Sequence, residues 1–144
     1  MLEVVVQQAI RRRAEDVWHF IADMSNNPRW QKGMQSCEWT SDPPLRLGST
    51  YDQRARFLGR DIVSSFKVTE FVEGEHIRII TTGGTMPIDV TRSVEPVTDN
   101  VSLVEAIVRG DPRGPFRFAA PFMKPLVKRS VEADYKRLKE LLET

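Results

Sequence analysis

Two histidines and one cysteine, Cys37, are the only imidazole and thiol groups in this chain. A lone thiol excludes an internal disulfide framework and fits a reducing compartment. His19, His76 and Cys37 show no metal-ligand spacing, so no metal and no cofactor are expected. Charge of one sign is lacking too. The 21 basic and 20 acidic side chains leave a net charge of +1, so no global field favours nucleic acid. No apolar run approaches the roughly 20 residues that cross a bilayer, which predicts no transmembrane segment. The opening Met1-Leu2-Glu3-Val4-Val5-Val6-Gln7-Gln8 is too short and polar for a signal peptide, and a cytoplasmic location is expected. No serine lies in a Gly-x-Ser-x-Gly context, and the pair Gly83-Gly84 lacks a Walker-type lysine and reads as a flexible turn.

What is present begins with the end of the chain. Residues 116–144 hold no glycine and carry apolar residues at helical spacing: Phe118, Phe122, Leu126, Val127, Val131, Leu138, Leu141 and Leu142. Lys124, Lys128, Arg129, Lys136, Arg137 and Lys139 form a solvated face, and Ser130 and Asp134 fall near the apolar stripe. Pro121 and Pro125 predict a kinked or irregular start. The other segments read mainly as strands, so the helix must bury its stripe on a sheet. A length of 144 residues predicts one domain over 1–144.

In chain order, the valine-rich 2–10 predicts a strand, and Arg11-Arg12-Arg13 a solvated turn. Residues 14–24 predict a short amphipathic helix stopped at Ser25-Asn26-Asn27-Pro28. A helical turn at 29–33 and a strand at 35–40 follow. From Thr50 the chain resolves into hairpins. The Leu58-Gly59 turn pairs Phe57 with Arg60, Ala55 with Ile62, Gln53 with Ser64 and Tyr51 with Phe66. A turn at 72–75 sets Val68 against Ile79 and Phe66 against Thr81. A turn at 97–100 pairs Pro96 with Val101, and therefore Val94 with Leu103, Arg92 with Glu105 and Val90 with Ile107. That last register places an opposed charge pair, Arg92 and Glu105, in the middle of an apolar face.

The strand and short helix with Val17-Trp18-His19-Phe20-Ile21, followed by Asn27-Pro28-Arg29-Trp30, resemble the opening of the START-like, or SRPBCC, superfamily. Gly48 before a strand ending in Phe57-Leu58-Gly59-Arg60, then Val68-Thr69-Glu70-Phe71, Glu95-Pro96 and the terminal Leu138-Lys139-Glu140-Leu141-Leu142-Glu143 extend the likeness over essentially the whole chain. It looks closest to the polyketide cyclase/dehydrase-like branch. The resemblance implies an α+β helix-grip (Bet v 1-like) fold. In it, a curved antiparallel sheet of six or seven strands wraps a long C-terminal helix, with one or two short helices after the first strand. It also implies an apolar cavity between sheet and helix for lipids, polyketides or other hydrophobic molecules. In Rieske-type oxygenases a related fold holds iron between histidines and a carboxylate; this chain lacks the histidines.

The expected cavity lining is Trp30, Trp39, Tyr51, Gln53, Ala55, Phe57, Ser64, Phe66, Ile79, Thr81, Val90, Arg92, Leu103 and Glu105, with Phe118, Phe122, Leu126 and Ser130 from the helix. Apolar walls with a few placed polar groups are the usual composition of a ligand site. Loops 83–87 and 110–115 are the expected entrance. Three functions fit. The leading one is binding of a hydrophobic small molecule. The second is a cyclase or dehydratase-type enzyme in which Arg92 polarises a carbonyl and Glu105 or Asp134 acts as base. The third is an interaction or quinone-binding protein that uses the basic helix face. Pairing of exposed strand edges offers a route to a homodimer.

Overall fold

The computed structural model describes residues 2–144, with every side chain among them except that of Pro115. The chain runs through β1 (Leu2–Ile10), α1 (Ala14–Ala22), a 3-10 turn (Met24–Asn26), α2 (Asn27–Trp30) and β2 (Met34–Trp39). Then come β3 (Thr50–Phe57), β4 (Arg60–Val72), β5 (His76–Gly84), β6 (Ile88–Thr98), β7 (Val101–Gly110), a second 3-10 stretch (Gly114–Ala119) and α3 (Ala120–Leu142). Seven antiparallel strands form one sheet in the order β1-β7-β6-β5-β4-β3-β2. The short helices carry the chain from one sheet edge to the other, and the curled sheet holds α3 in the helix-grip arrangement.

The β3–β4 hairpin has the expected register, from Phe57 opposite Arg60 to Tyr51 opposite Phe66. Its turn residues Leu58 and Gly59 both take positive φ, 53° and 73°, the conformation whose twist matches two flanking strands. Val68 faces Ile79 and Phe66 faces Thr81, also as expected. Gly83 and Gly84 lie inside β5, paired with Ser65 and Ser64, and so are not a free turn. Gly84 has φ +130°, and a Cβ there would meet the Val63 carbonyl oxygen at 2.1 Å. Only glycine fits that approach.

The β6–β7 register corrects the expectation. Thr98 pairs with Val101 around Asp99 and Asn100, and a bulge follows between Pro96 and Thr98. The bulge slips the pairing by one residue: Val94 faces Val104, Arg92 faces Ala106, and Ser93 faces Glu105. A slip of one inverts every side chain of a strand. Ser102, Val104 and Ala106 therefore face the core, while Leu103, Glu105 and Ile107 lie on the outer face. Glu105 accepts a hydrogen bond from Gln7 Nε2 at 2.7 Å there, and the Arg92–Glu105 pair does not exist.

α3 begins at Ala120, later than the sequence suggests, because 114–119 is wound as 3-10. Pro121 sits in the first turn, where an amide N–H has no helical partner to lose, and the helix continues through Pro125. Its second half packs tightly. Tyr135, Leu138 and Leu142 join Trp18, Trp30, Tyr51, Phe66 and Val104 in the main core. The end of α3 is also tied down by the arginines after β1, which are not merely solvated. Glu143 accepts the Arg11 backbone N–H at 2.8 Å and is held by Lys139, and Arg12 Nη1 donates to the Leu142 carbonyl at 2.8 Å.

Candidate functional site

The first half of α3 stands off the sheet and encloses a half-open cavity of about 180 Å³. Met123, Val127, Ser130, Val131 and Asp134 line it from the helix. They recur at i, i+4, i+7, i+8 and i+11, a single helical face. Opposite lie Ala55 and Phe57 of β3, Ile62 of β4, Ile88 of β6 and Val108 of β7, with Met34 and Met86 at the sides. The gap has a plain cause. Tyr135 and Leu138 reach the sheet from the second half of α3, whereas in the first half Met123 alone is buried, in a small cluster with Met86 and Phe116.

Asp134 is the acidic group on this wall. Its Oδ1 accepts the Lys32 N–H at 3.1 Å and Arg137 Nη1 at 3.2 Å, which ties the loop after α2 to α3. Burial raises its pKa, and those two donors pull it back in part. Gln31 and Ser130 complete the polar side, and Arg56 and Arg109 stand at the strand ends.

Deeper than the cavity lies Arg92, 6 % exposed. Its Nε–H donates to the Tyr135 hydroxyl at 2.7 Å, and its guanidinium carbon sits 5.1 Å from the Trp30 ring centroid. Burial works against the charge, but the two phenols of Tyr135 and Tyr51 and the hydrogen bond outweigh it and leave the pKa raised. No carboxylate forms an ion pair with Arg92 among the described residues. Arg92 Nη1, Tyr51 Oη, Trp30 Nε1 and Ser64 Oγ all lack a protein partner, and every one of them can donate.

The expected lining divides into four groups. Ala55, Phe57 and Ser130 border the cavity, as does the candidate base Asp134. Trp30, Tyr51, Ser64, Phe66, Ile79 and Arg92 are buried beyond it, with Gln53, Thr81 and Val90 half-buried beside them. Thr81 Oγ1 there accepts the Ile88 N–H at 3.0 Å. Trp39 borders a separate depression with Trp18, Leu45 and Phe71. Leu103 and Glu105 lie on the outer face, and Phe118 and Phe122 point to solvent at 88 % and 70 % exposure, with Leu126 at 37 %. The stripe that faces inward starts from Met123, one residue beyond Phe122. Of the expected entrance loops, one supplies Met86 and the other Gly110 and Pro112. Among the described residues no group of histidine, cysteine and carboxylates could hold a metal, and no helix is long and apolar enough to cross a membrane.

An antiparallel sheet curled on a C-terminal helix, with a cavity under that helix, agrees with the sequence comparison. The family described as polyketide cyclase / dehydrase and lipid transport matches residues 1–143. The chain belongs to this family. Solved structures share the fold of this polyketide cyclase/dehydrase-family chain. A START superfamily protein from Mycobacterium smegmatis superposes with a TM-score of 0.84 at 17 % identity, over 98 % of this chain and 97 % of that one. A protein from Thermus thermophilus gives 0.82 at 17 % identity, over 96 % and 94 %. The Zhui aromatase/cyclase from Streptomyces sp. R1128 gives 0.79 at 10 % identity, over 98 % and 93 %. No curated protein sequence matches the chain.

Proposed function

We propose that the chain binds a hydrophobic or amphipathic small molecule, of lipid, polyketide, aromatic or isoprenoid-like chemistry, in the cavity beneath the first half of α3. The observation that carries this reading is an apolar space walled by aliphatic, methionine and phenylalanine side chains, with Asp134, Ser130 and Gln31 on one side. Its volume, about 180 Å³, is near the roughly 150 Å³ of an engineered cavity that takes benzene. One ring or a short alkyl segment fills it, and a longer guest extends through the mouth. Methionines at three points of the wall suit guests of varied outline. Native mass spectrometry of protein purified from cells tests the proposal, together with titration of an apolar fluorescent probe. A bound small molecule displaced by the probe supports it. Protein without a guest that also leaves the probe dark ends it.

A second reading, turnover of a polyketide-like or aromatic guest, has one observation in its favour. Asp134 presents a carboxyl with a raised pKa at the cavity wall, a suitable setting for a general base. Arg92 is set deeper and Glu105 faces outward, so Asp134 carries this reading by itself. Loss of turnover in Asp134→Asn with probe affinity retained is the expected signature. Equal turnover by the variant removes Asp134 from the chemistry.

A further inference from the structure

Phe118, Phe122 and Leu126 follow one another at intervals of four and form an exposed ridge from the second 3-10 stretch into α3. This ridge is the outside of the segment whose inside, at Met123 and Val127, lines the cavity. Leu58, 49 % exposed at the tip of the β3–β4 hairpin, belongs to the same end of the molecule, because the adjacent Phe57 stacks on Phe116 at 6.5 Å. Two exposed phenylalanines so close together mark a surface that something covers.

The charge of the segment that carries the ridge says what covers it. Residues 112–131 contain Arg113, Arg117, Lys124, Lys128 and Arg129 and no aspartate or glutamate, in a chain whose net charge is only +1. Arg113 pairs with Asp111, whereas the other four are exposed and form no ion pair among the described residues. Two copies meeting through this face would set those four cations against their like. Aromatic side chains on one exposed flank of a helix, with Arg129 on their side and Lys124 and Lys128 on the other exposed flank, suit the boundary between acyl chains and anionic headgroups instead. We propose that this face docks on an anionic lipid bilayer, with Phe118 and Phe122 inserted. The docking goes beyond guest binding and does not require it.

Co-sedimentation with vesicles of phosphatidylglycerol and phosphatidylcholine in equal parts, against phosphatidylcholine alone, tests this. The expected result is partition onto the mixed vesicles that weakens as salt is raised. The double variant Phe118→Ala/Phe122→Ala should partition about tenfold less, with an unchanged thermal midpoint because both side chains are already in solvent. The charge reversals Lys124→Glu and Lys128→Glu together should abolish the preference for the anionic lipid. A third variant, Val127→Phe, fills the cavity and should still bind vesicles, which separates this proposal from the one above. Failure of the full chain to bind mixed vesicles overturns docking, as does equal partition by the double alanine variant. A concentration-dependent dimer in sedimentation velocity that this variant abolishes assigns the ridge to a second copy and overturns it as well.

Discussion

Arg92 Nε donates to Tyr135 Oη at 2.7 Å, so the most deeply buried guanidinium of the sheet is held by the C-terminal helix rather than by a carboxylate. Tyr135 also meets Trp30 edge-on, with ring centroids 4.9 Å apart, and Trp30 in turn lies under Arg92. The C-terminal helix, the sheet and α2 are thus joined by three side chains.

Tyr135→Phe should therefore cost about 1.5–3 kcal/mol, because it leaves a buried charged donor unmatched. Adding Arg92→Met to that variant should recover at least half of the loss, since an apolar side chain requires no partner there. Urea unfolding of the single and double variants reads both. An unchanged midpoint in Tyr135→Phe would show that the bond contributes nothing net.

Filling the cavity should separate binding from folding. Val127 is half-buried on its wall, with free volume in front of it. Val127→Phe should weaken an apolar probe at least tenfold while changing stability by less than about 1.5 kcal/mol, because the added carbons enter empty space. Probe titration and thermal melts together decide the point, and full probe affinity in the variant would move the site elsewhere.

Two adjacent glycines should respond differently to one methyl group. Gly83 has nothing within 4 Å of its missing Cβ, whereas at Gly84 that atom would lie 2.1 Å from the Val63 carbonyl oxygen at φ +130°. Gly84→Ala should lose roughly 2–4 kcal/mol and Gly83→Ala under about 1 kcal/mol. Chemical denaturation of the pair tests the bulged β4–β5 pairing, and similar costs would contradict it.

Glu143 predicts acid sensitivity at the end of α3. The Arg11 backbone N–H, then Lys139, hold its pKa at about 2, down from an ordinary 4.5. A depressed carboxylate contributes stability that is complete above 4.5 and is lost as pH falls toward 2. The stability–pH curve of Glu143→Gln should be flatter than that of the parent across this window. Parallel curves would detach Glu143 from the folding equilibrium.

Cys37 should be a poor nucleophile. Burial pushes its thiol up to about 11 despite a weak contact from Asn27 Nδ2 at 3.7 Å. Near neutral pH, alkylation should run about two orders of magnitude slower than for a free thiol. Rapid labelling of the folded protein would refute the burial argument.

The hairpins show what the sequence makes legible. Leu58-Gly59 contains the one residue type that enters a tight turn without strain, and everything from Tyr51 to Phe66 follows from it by alternation. At Asp99-Asn100 the same rule applies, but the bulge beside Pro96 leaves no mark in the residue pattern. That single extra residue sends Glu105 outward and leaves Arg92 to Tyr135. The helix misled in another way. Phe118 and Phe122 look like the anchors of a buried stripe, yet the stripe that turns inward begins with Met123, because at about 3.6 residues per turn Phe122 and Leu126 each lie roughly 100° around α3 from Met123 and Val127 and fall on its flank. Hydrophobicity marked the segment but not which side of it meets the sheet.

The uneven grip on α3 has a mechanical consequence. Tyr135, Leu138, Leu142 and Glu143 hold the second half of the helix to the main core, whereas over the cavity its first half is held by Met123 in a small cluster and by half-buried Val127 and Val131. On the proposed binding reading, guests of different thickness would be met by the loosely packed half, while the tightly packed half keeps the main core shut. Amide exchange should record this as a gradient of protection that rises along the helix toward its last turns.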